Sequence, residues 1–377
     1  MAARLPRELH PAAWWGWALG VAVAVSFTAN PWLLALAVAV VSLVVVARRG
    51  SSPWARAFPL YLWLGAFIVT ARIVLHILVG LKFGETVVLP LPEVDLPSWA
   101  AGIQLGGDVR LEGLLAAVAQ GLRLAVMIAA IGAANALANP KRLIRSLPGA
   151  LHEVGTAVVV SISVAPQLAE SVQRVRRART LRGDASRGLR AVPAVALPVL
   201  EDTLERSLLL AAAMDSRGYG RPADRSRAHR RRTTTVLLLA LTLVAVGTYG
   251  VLDGSTSPLL GAPALALGVA LAVVGLWLGG RGATRTTYRP APWLAPEWLT
   301  IGCGLAAAVA FVVQARIAPD TLGMPVTPLA VPALPLLPVV GLLIAALPAF
   351  LTPEPPGPAR RAVRRRVATP EPVASHG

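Results

Sequence analysis

The most constraining feature of this chain is an uninterrupted run, residues 11–47, that contains no charged side chain. About 20 apolar residues are enough to cross the hydrocarbon core of a bilayer as a helix, so this run is long enough for two crossings. Asn30-Pro31 lies in its middle and predicts a tight turn between two spans. With 55% hydrophobic residues among 377, the composition is that of an integral membrane protein and excludes an ordinary soluble domain.

Further apolar stretches bring the expected number of spans to about eight. They are residues 58–81, 111–138, 233–252, 254–280, 298–315 and 321–353. The last stretch is rich in proline, so a kinked or broken helix is expected there. The predicted fold class is therefore all-α, a polytopic membrane helix bundle with amphipathic cytoplasmic helices.

The distribution of charge predicts how the spans are oriented. Residues 139–232 hold 18 Lys or Arg against eight Asp or Glu, and loops rich in Lys and Arg stay in the cytoplasm. The loop 82–108 has one lysine against four acidic residues and is expected outside. Both termini are then cytoplasmic, and the richness in arginine and alanine suggests the plasma membrane of a high-GC bacterium.

The same pattern divides the chain into four parts: N-terminal spans (1–138), a cytoplasmic helical region (139–232), C-terminal spans (233–352) and a basic, disordered cytoplasmic tail (353–377). Residues 154–169 are uncharged but short and contain Pro166. If they crossed the membrane, the arginines that follow would lie outside. We therefore interpret 154–169 as a helix in or near the cytoplasmic interface.

Motifs for catalysis and for nucleotide or metal binding are not found in the sequence. The lysines, Lys82 and Lys141, do not stand in a Gly-Lys-Ser/Thr phosphate loop. The histidines are scattered and Cys303 is alone, which does not match a metal site. The chain is therefore expected to be neither an enzyme nor dependent on a cofactor.

Within the cytoplasmic region, one predicted helix changes from apolar to cationic along a single face. At 100° per residue, Leu168, Val172 and Val175 form one stripe. Arg179 and Arg182 continue this stripe to the end of the helix, where Gly183 suits the left-handed cap.

A second predicted helix has the same arrangement. Pro198 suits its first position, and the acidic residues between 201 and 205 suit its N-terminal dipole. Arg217-Gly218 ends it. Arginine near a helix C-terminus can simply complement the dipole, at about 0.3–1 kcal/mol. An arginine at a rigid helix end can also enter an acidic groove on a partner, and its occurrence on two helices favours this interpretation.

These segments resemble the transmembrane T component of energy-coupling factor (ECF) transporters, including the cobalt-type subunit. The resemblance covers roughly residues 10–250 and rests on NALANPKRLIRSLP (135–148), APQLAESVQRVRRARTLRG (165–183) and LEDTLERSLLLAAAMDSRGYG (200–220). In place of the family's Ala-Arg-Gly signatures, this chain has Leu181 and Ser216 before Arg-Gly.

The resemblance implies a non-catalytic coupling subunit for uptake of a vitamin or metal ion. Its implied partners are two ABC-type ATPases and a small substrate-binding membrane subunit, with no nucleic acid. The residues implied to couple to the ATPases are Arg179, Arg182, Gly183, Arg217 and Gly218.

Charged residues inside predicted spans have two interpretations. Arg72 and His76 lie one turn apart in the third span, and Arg123 lies in the fourth. Each charge costs about 2.5–3.5 kcal/mol at the centre of a span. Arg72 and Arg123 could contact the substrate-binding subunit, or they could pair inside the bundle or snorkel to an interface.

Two other classes of function compete with this hypothesis. A secondary transporter would favour acidic pairs inside spans or internally repeated halves, and neither is found in the sequence. A binder of nucleic acid or anionic lipid is suggested by the net charge of +17 and by RAHRRR (227–232) and RRAVRRR (360–366). Because these runs flank spans, retention of the loops in the cytoplasm explains them more simply.

Overall fold

A computed structural model of the chain shows a bundle of helices in two compact units. The structure describes residues 7–50, 57–79, 83–95, 104–139, 142–143, 146, 152–182, 192–216, 226–253, 260–280, 293–326 and 328–355. Unit 1 comprises residues 1–143 and 291–377, and unit 2 comprises residues 144–290.

The described helices follow one another in the order α1 to α11. They are α1 Pro11–Ser26, α2 Pro31–Arg48, α3 Phe58–Val79, α4 Leu111–Leu137, α5 His152–Leu181, α6 Val192–Ser216, α7 Arg227–Asp253, α8 Ala262–Gly280, α9 Ala295–Ile317, α10 Leu336–Ala346 and α11 Pro348–Leu351.

The turn between α1 and α2 is the one that Asn30-Pro31 predicts. Pro31 opens α2, and the Asn30 side chain accepts a hydrogen bond from the N–H of Trp32 at 3.1 Å. Its amide nitrogen also donates to the carbonyl oxygens of Thr321 (3.2 Å) and Ala333 (2.7 Å). The fully buried Asn30 therefore caps α2 and joins it to the segment between α9 and α10.

The core of unit 1 combines N-terminal and C-terminal helices. Helix α1 packs against α4 and α9, and α10 packs against α2 and α9. Trp17 and Phe311 are fully buried in this core, and the Trp17 indole N–H donates to the carbonyl oxygen of Ala345 at 2.9 Å. The C-terminal helices thus complete the core built by the first spans.

Helices α1 and α9 approach each other most closely at two glycines. A Cβ atom on Gly304 would lie 2.6 Å from the backbone of Trp17, and one on Gly20 would overlap the backbone of Gly304. Neither position has room for a side chain unless the helices separate. A Cβ atom on Gly302, two residues earlier in α9, would have no atom within 4 Å.

We predict that Gly304→Ala destabilises unit 1 by about 1–3 kcal/mol, because the added methyl group overpacks a contact between two backbones. Gly302→Ala is the matched control and should change the free energy of unfolding by less than about 1 kcal/mol. Unfolding of the purified protein in mixed detergent and SDS measures both. Equal stability of the two variants would contradict the close α1–α9 contact.

The connection between α3 and α4 contains short strands anchored by a buried carboxylate. Strand β1 (Val87–Leu89) pairs antiparallel with β4 (Val109–Arg110), and β2 (Glu93–Asp95) pairs antiparallel with β3 (Gln104–Gly106). Glu112, in the first turn of α4, accepts hydrogen bonds from the N–H groups of Glu85 and Thr86, each at 3.2 Å. Gly84 has φ +109°, and a Cβ atom there would collide with the Glu112 carboxylate.

Unit 2 contains two helix pairs. Helix α5 packs against α6, and α7 packs against α8. The α7–α8 contact is close because glycines on both helices face the neighbouring backbone: a Cβ on Gly268 would lie 2.7 Å from the amide nitrogen of Val244.

The structure confirms the all-α bundle, and it differs from the prediction in which helices are long enough to cross a membrane. Among the described residues, seven helices are long and apolar enough to cross a membrane: α2, α3, α4, α5 from Gly155, α7, α8 and α9. Six of these match predicted spans. The other two predicted spans are shorter helices, namely α1, of 16 residues, and the C-terminal stretch, which is broken into α10 and α11 as its prolines predict.

Residues 154–169, which were interpreted from the sequence as a helix, lie within α5. They form one continuous helix with the segment ending at Leu181, and Pro166 lies inside it. Its interfacial position stays a prediction. The chain-order division into four parts also stays a prediction, and residues 356–377 of the tail lie outside the described residues.

Candidate functional site

The helix pair α5–α6 carries the described residues of the predicted coupling site. The predicted stripe on α5 agrees with the observed burial: Leu168, Val172, Val175 and Arg179 are all partly buried. A cavity of about 250 Å³ lies between the two helices and is lined by residues of both, including Val160 on α5 and Leu210 on α6.

Arg182 lies at the exposed end of α5. Its N–H donates to the carbonyl oxygens of Ala178 (3.2 Å) and Arg179 (3.0 Å), which extends the last turn by one residue. Its side chain is exposed, and the adjacent Leu181 is 89% exposed. The end of α5 therefore presents a cation and an apolar side chain without cover from the described part of the chain.

The other residues predicted for this site, Gly183, Arg217 and Gly218, lie outside the described residues. Helix α6 is described to Ser216, immediately before Arg217-Gly218. The predicted coupling roles of all five residues therefore stay predictions.

The start of α6 differs from the prediction. The helix begins at Val192, so Pro198 lies inside it rather than at its first position. Pro193 stands in the first turn instead, where the N–H that proline lacks has no intrahelical partner. Because the helix starts earlier, Asp202 and its acidic neighbours lie in the middle of α6 and do not serve its N-terminal dipole.

Asp202 instead joins α6 to α5. Its carboxylate accepts a hydrogen bond from the hydroxyl of Ser171 at 2.7 Å and one from Arg206 Nε at 3.0 Å, and Arg174 lies 3.9 Å away. The Ser171 hydroxyl, opposed by desolvation and assisted by Arg206, lowers the pKa of Asp202 below its ordinary value. The Ser171–Asp202 contact was not predicted from the sequence. The Asp202–Arg206 spacing of four residues was the available signal, but it does not identify Ser171.

We predict that Asp202→Asn loosens the α5–α6 pair. Spin labels at the exposed positions Ser161 and Ala211, on either side of the cavity, should show a longer and broader distance distribution. Asp215→Asn, also on α6 and exposed, is the matched control and should leave the distribution unchanged. Since the pKa of Asp202 is lowered, the contact is present at neutral pH and should weaken only as the pH falls below about 4. An unchanged distribution in Asp202→Asn would contradict the role of Asp202.

A row of leucines on α6 is exposed. Leu200, Leu204 and Leu208 are each 63–64% exposed, and they lie on the side of α6 that does not face α5. The described part of the chain leaves these leucines available to a partner or to lipid.

The intramembrane arginines lie on α3 and α4. Arg72 is exposed and donates a hydrogen bond to Oε1 of Gln120 on α4. Arg123 is partly buried one turn further along α4. In the structure Arg72 therefore bonds a neutral side chain on the neighbouring helix, and both interpretations of Arg72 and Arg123 stay predictions.

Unit 1 contains a buried ion pair that was not predicted from the sequence. Both terminal nitrogens of Arg7 donate to Glu297 in the first turn of α9, at 2.7 and 2.9 Å. Glu297 is fully buried and also accepts from the N–H groups of His10 (3.4 Å) and Leu294 (3.1 Å). The neighbouring Glu8 pairs with Arg142 at 2.9 Å. The N-terminal segment that contains Arg7 and Glu8 therefore contacts both α9 and the residues that follow α4.

These helices, by their length and apolar composition, define a multi-pass membrane protein of the all-α class. Its sequence matches the profile of the cobalt transport protein family, CbiQ, over residues 2–229. The chain belongs to this family. The match ends in the first turn of α7, so most of α7 and all of α8 to α11 lie beyond it.

A curated relative is the energy-coupling factor transporter transmembrane protein EcfT of Thermanaerovibrio acidaminovorans. It is 29% identical over 160 residues, which cover 38% of this chain and 60% of the relative. The matching region of the chain thus spans three fifths of the relative's length.

Proposed function

We propose that this chain is the transmembrane coupling subunit of an ECF-type importer. Membership of the CbiQ family supports this proposal, together with the similarity to a protein named EcfT. The single structural observation that carries it is the α5–α6 pair, in which a packed helix ends in the exposed Arg182 and its partner runs to the residue before Arg217.

In this proposal two ABC-type ATPases bind the ends of α5 and α6 in acidic grooves. ATP binding closes the ATPase pair and moves the grooves, and with them Arg182 and Arg217. The helices then tilt against a separate small membrane subunit that binds the vitamin or metal ion. ATP hydrolysis belongs to the partners, and the chain itself performs no catalysis.

The proposal places the protein in a bacterial plasma membrane, with both termini and the α5–α6 pair in the cytoplasm. This orientation follows from the clustering of arginine between residues 139 and 232. Arg7 and Glu8, near the N-terminus, contact Glu297 and Arg142, which the charge rule also places at the cytoplasmic side.

The test is reconstitution with candidate partners. Affinity purification of the tagged chain from its source membrane should recover an ATPase pair and a small membrane subunit. ATP-dependent uptake in liposomes should require all of them. Uptake by the chain alone, driven by a proton or sodium gradient, would instead establish a secondary transporter.

A further inference from the structure

A groove of about 370 Å³ lies between α3 and α4 in unit 1. Arg72, His76 and Gln120 supply most of its polar atoms, and Val79 and Phe83 are among the apolar residues beside them. No carboxylate is found among the described residues that line it. The groove is therefore cationic at one part of its wall and apolar at another.

None of the described residues that line the groove carries a negative charge to balance Arg72. A guanidinium carries five N–H donors, and the described bond to the neutral Oε1 of Gln120 uses one of them. His76 lies one turn further along α3 and adds another polar group to the same wall. A ligand with several anionic oxygens would satisfy these groups, and phosphate is a preferred partner of arginine because it accepts two parallel hydrogen bonds.

The level of the groove along the helices matches that of a lipid head group. Arg72 lies seven residues before the end of α3 at Val79, which is about 10 Å at 1.5 Å per residue. His76 lies about 5 Å from the same end. Since the apolar core of a bilayer is about 30 Å thick, an arginine side chain at this level reaches the glycerol and phosphate layer.

We propose that this groove binds the phosphodiester of an anionic phospholipid, in the leaflet that contains the end of α3 at Val79. That leaflet is the outer one in the orientation predicted from charge. Arg72 pairs with the phosphate oxygens, His76 lies beside the head group, and Val79 and Phe83 contact the apolar part of the lipid. A lipid fits better than a protein carboxylate because the groove joins polar and apolar walls. Leu75 and Phe67, on the same helix, are 56% and 66% exposed.

The experiment measures lipid binding by the delipidated full-length protein. Native mass spectrometry, during titration with phosphatidylglycerol or with phosphatidylcholine of the same acyl chains, gives the affinity for each lipid. We expect preferential binding of phosphatidylglycerol, and Arg72→Gln should weaken this binding at least tenfold. Arg72→Lys, which keeps the charge, should retain part of the affinity. Arg316→Gln, an exposed arginine at the end of α9, is the matched control and should bind as the unaltered protein does.

Four results would overturn the proposal. Equal affinity for the two lipids would remove the requirement for an anion. Unchanged binding in Arg72→Gln, when the variant elutes as a folded protein, would remove the site. Displacement of the lipid by millimolar inorganic phosphate would assign the groove to a soluble anion. Loss of a membrane partner in Arg72→Gln with unchanged lipid binding would assign it to a protein contact.

Discussion

Simultaneous replacement of Arg182 and Arg217 by glutamate should abolish association with the ATPases while the protein still inserts into the membrane. Loss of a buried, hydrogen-bonded charge pair at an interface costs about 2–5 kcal/mol. Two such losses weaken binding by about a thousandfold or more. Charge reversal adds repulsion from the acidic grooves. Arg182 is exposed at the end of α5 and its side chain does not belong to the core, so folding should be unaffected.

A pull-down of the co-expressed ATPases from solubilised membranes measures this effect. The matched control is Arg176→Glu with Arg230→Glu, which changes the net charge equally at two exposed arginines that do not end α5 or α6. The control should retain the ATPases. If the Arg182 and Arg217 variant retained them too, the proposed coupling role of the two arginines would be wrong.

Replacement of Glu297 by alanine should destabilise unit 1 by about 3–5 kcal/mol, the usual effect of removing one partner of a buried ion pair. Glu297 is fully buried and accepts from both terminal nitrogens of Arg7 and from two backbone amides. Its removal leaves these donors without an acceptor in the core. SDS-induced unfolding of the purified protein measures the change in free energy.

A double-mutant cycle with Arg7→Ala separates the ion pair from other effects. Each single variant leaves a partner unsatisfied, so the double variant should be less destabilised than the sum of the two. Glu205→Ala, an exposed position on α6, should have little effect. Additive losses in the cycle would refute the coupling between Arg7 and Glu297.

Glu297 lies in α9, which is beyond the part of the chain that matches the family. Helices α9 and α10 share a core with α1, α2 and α4, and the Arg7–Glu297 pair joins the N-terminal segment to the start of α9. Helices α9 and α10 are therefore part of the same folded unit as the first spans. Their loss should expose the face of α1 that contains Trp17.

Local features of the sequence were sufficient to predict the membrane class, most spans, the Asn30-Pro31 turn and the apolar stripe on α5. Each depends on residues within a few turns of one another, because hydropathy, capping and helical periodicity act over short distances. The start of α6 was placed six residues late. Pro193 and Pro198 both suit an early helical position, and the sequence alone does not choose between them.

The contacts between distant segments were decided by the tertiary structure. Arg7 and Glu297 are 290 residues apart, and no local pattern relates Gly20 to Gly304 or Ser171 to Asp202. In a membrane the physical reason is especially clear. Lipid chains are as apolar as a neighbouring helix, so hydropathy identifies which segments enter the bilayer but not which faces meet. Close packing between small residues and the pairing of buried charges select the partners, and both depend on the assembled bundle.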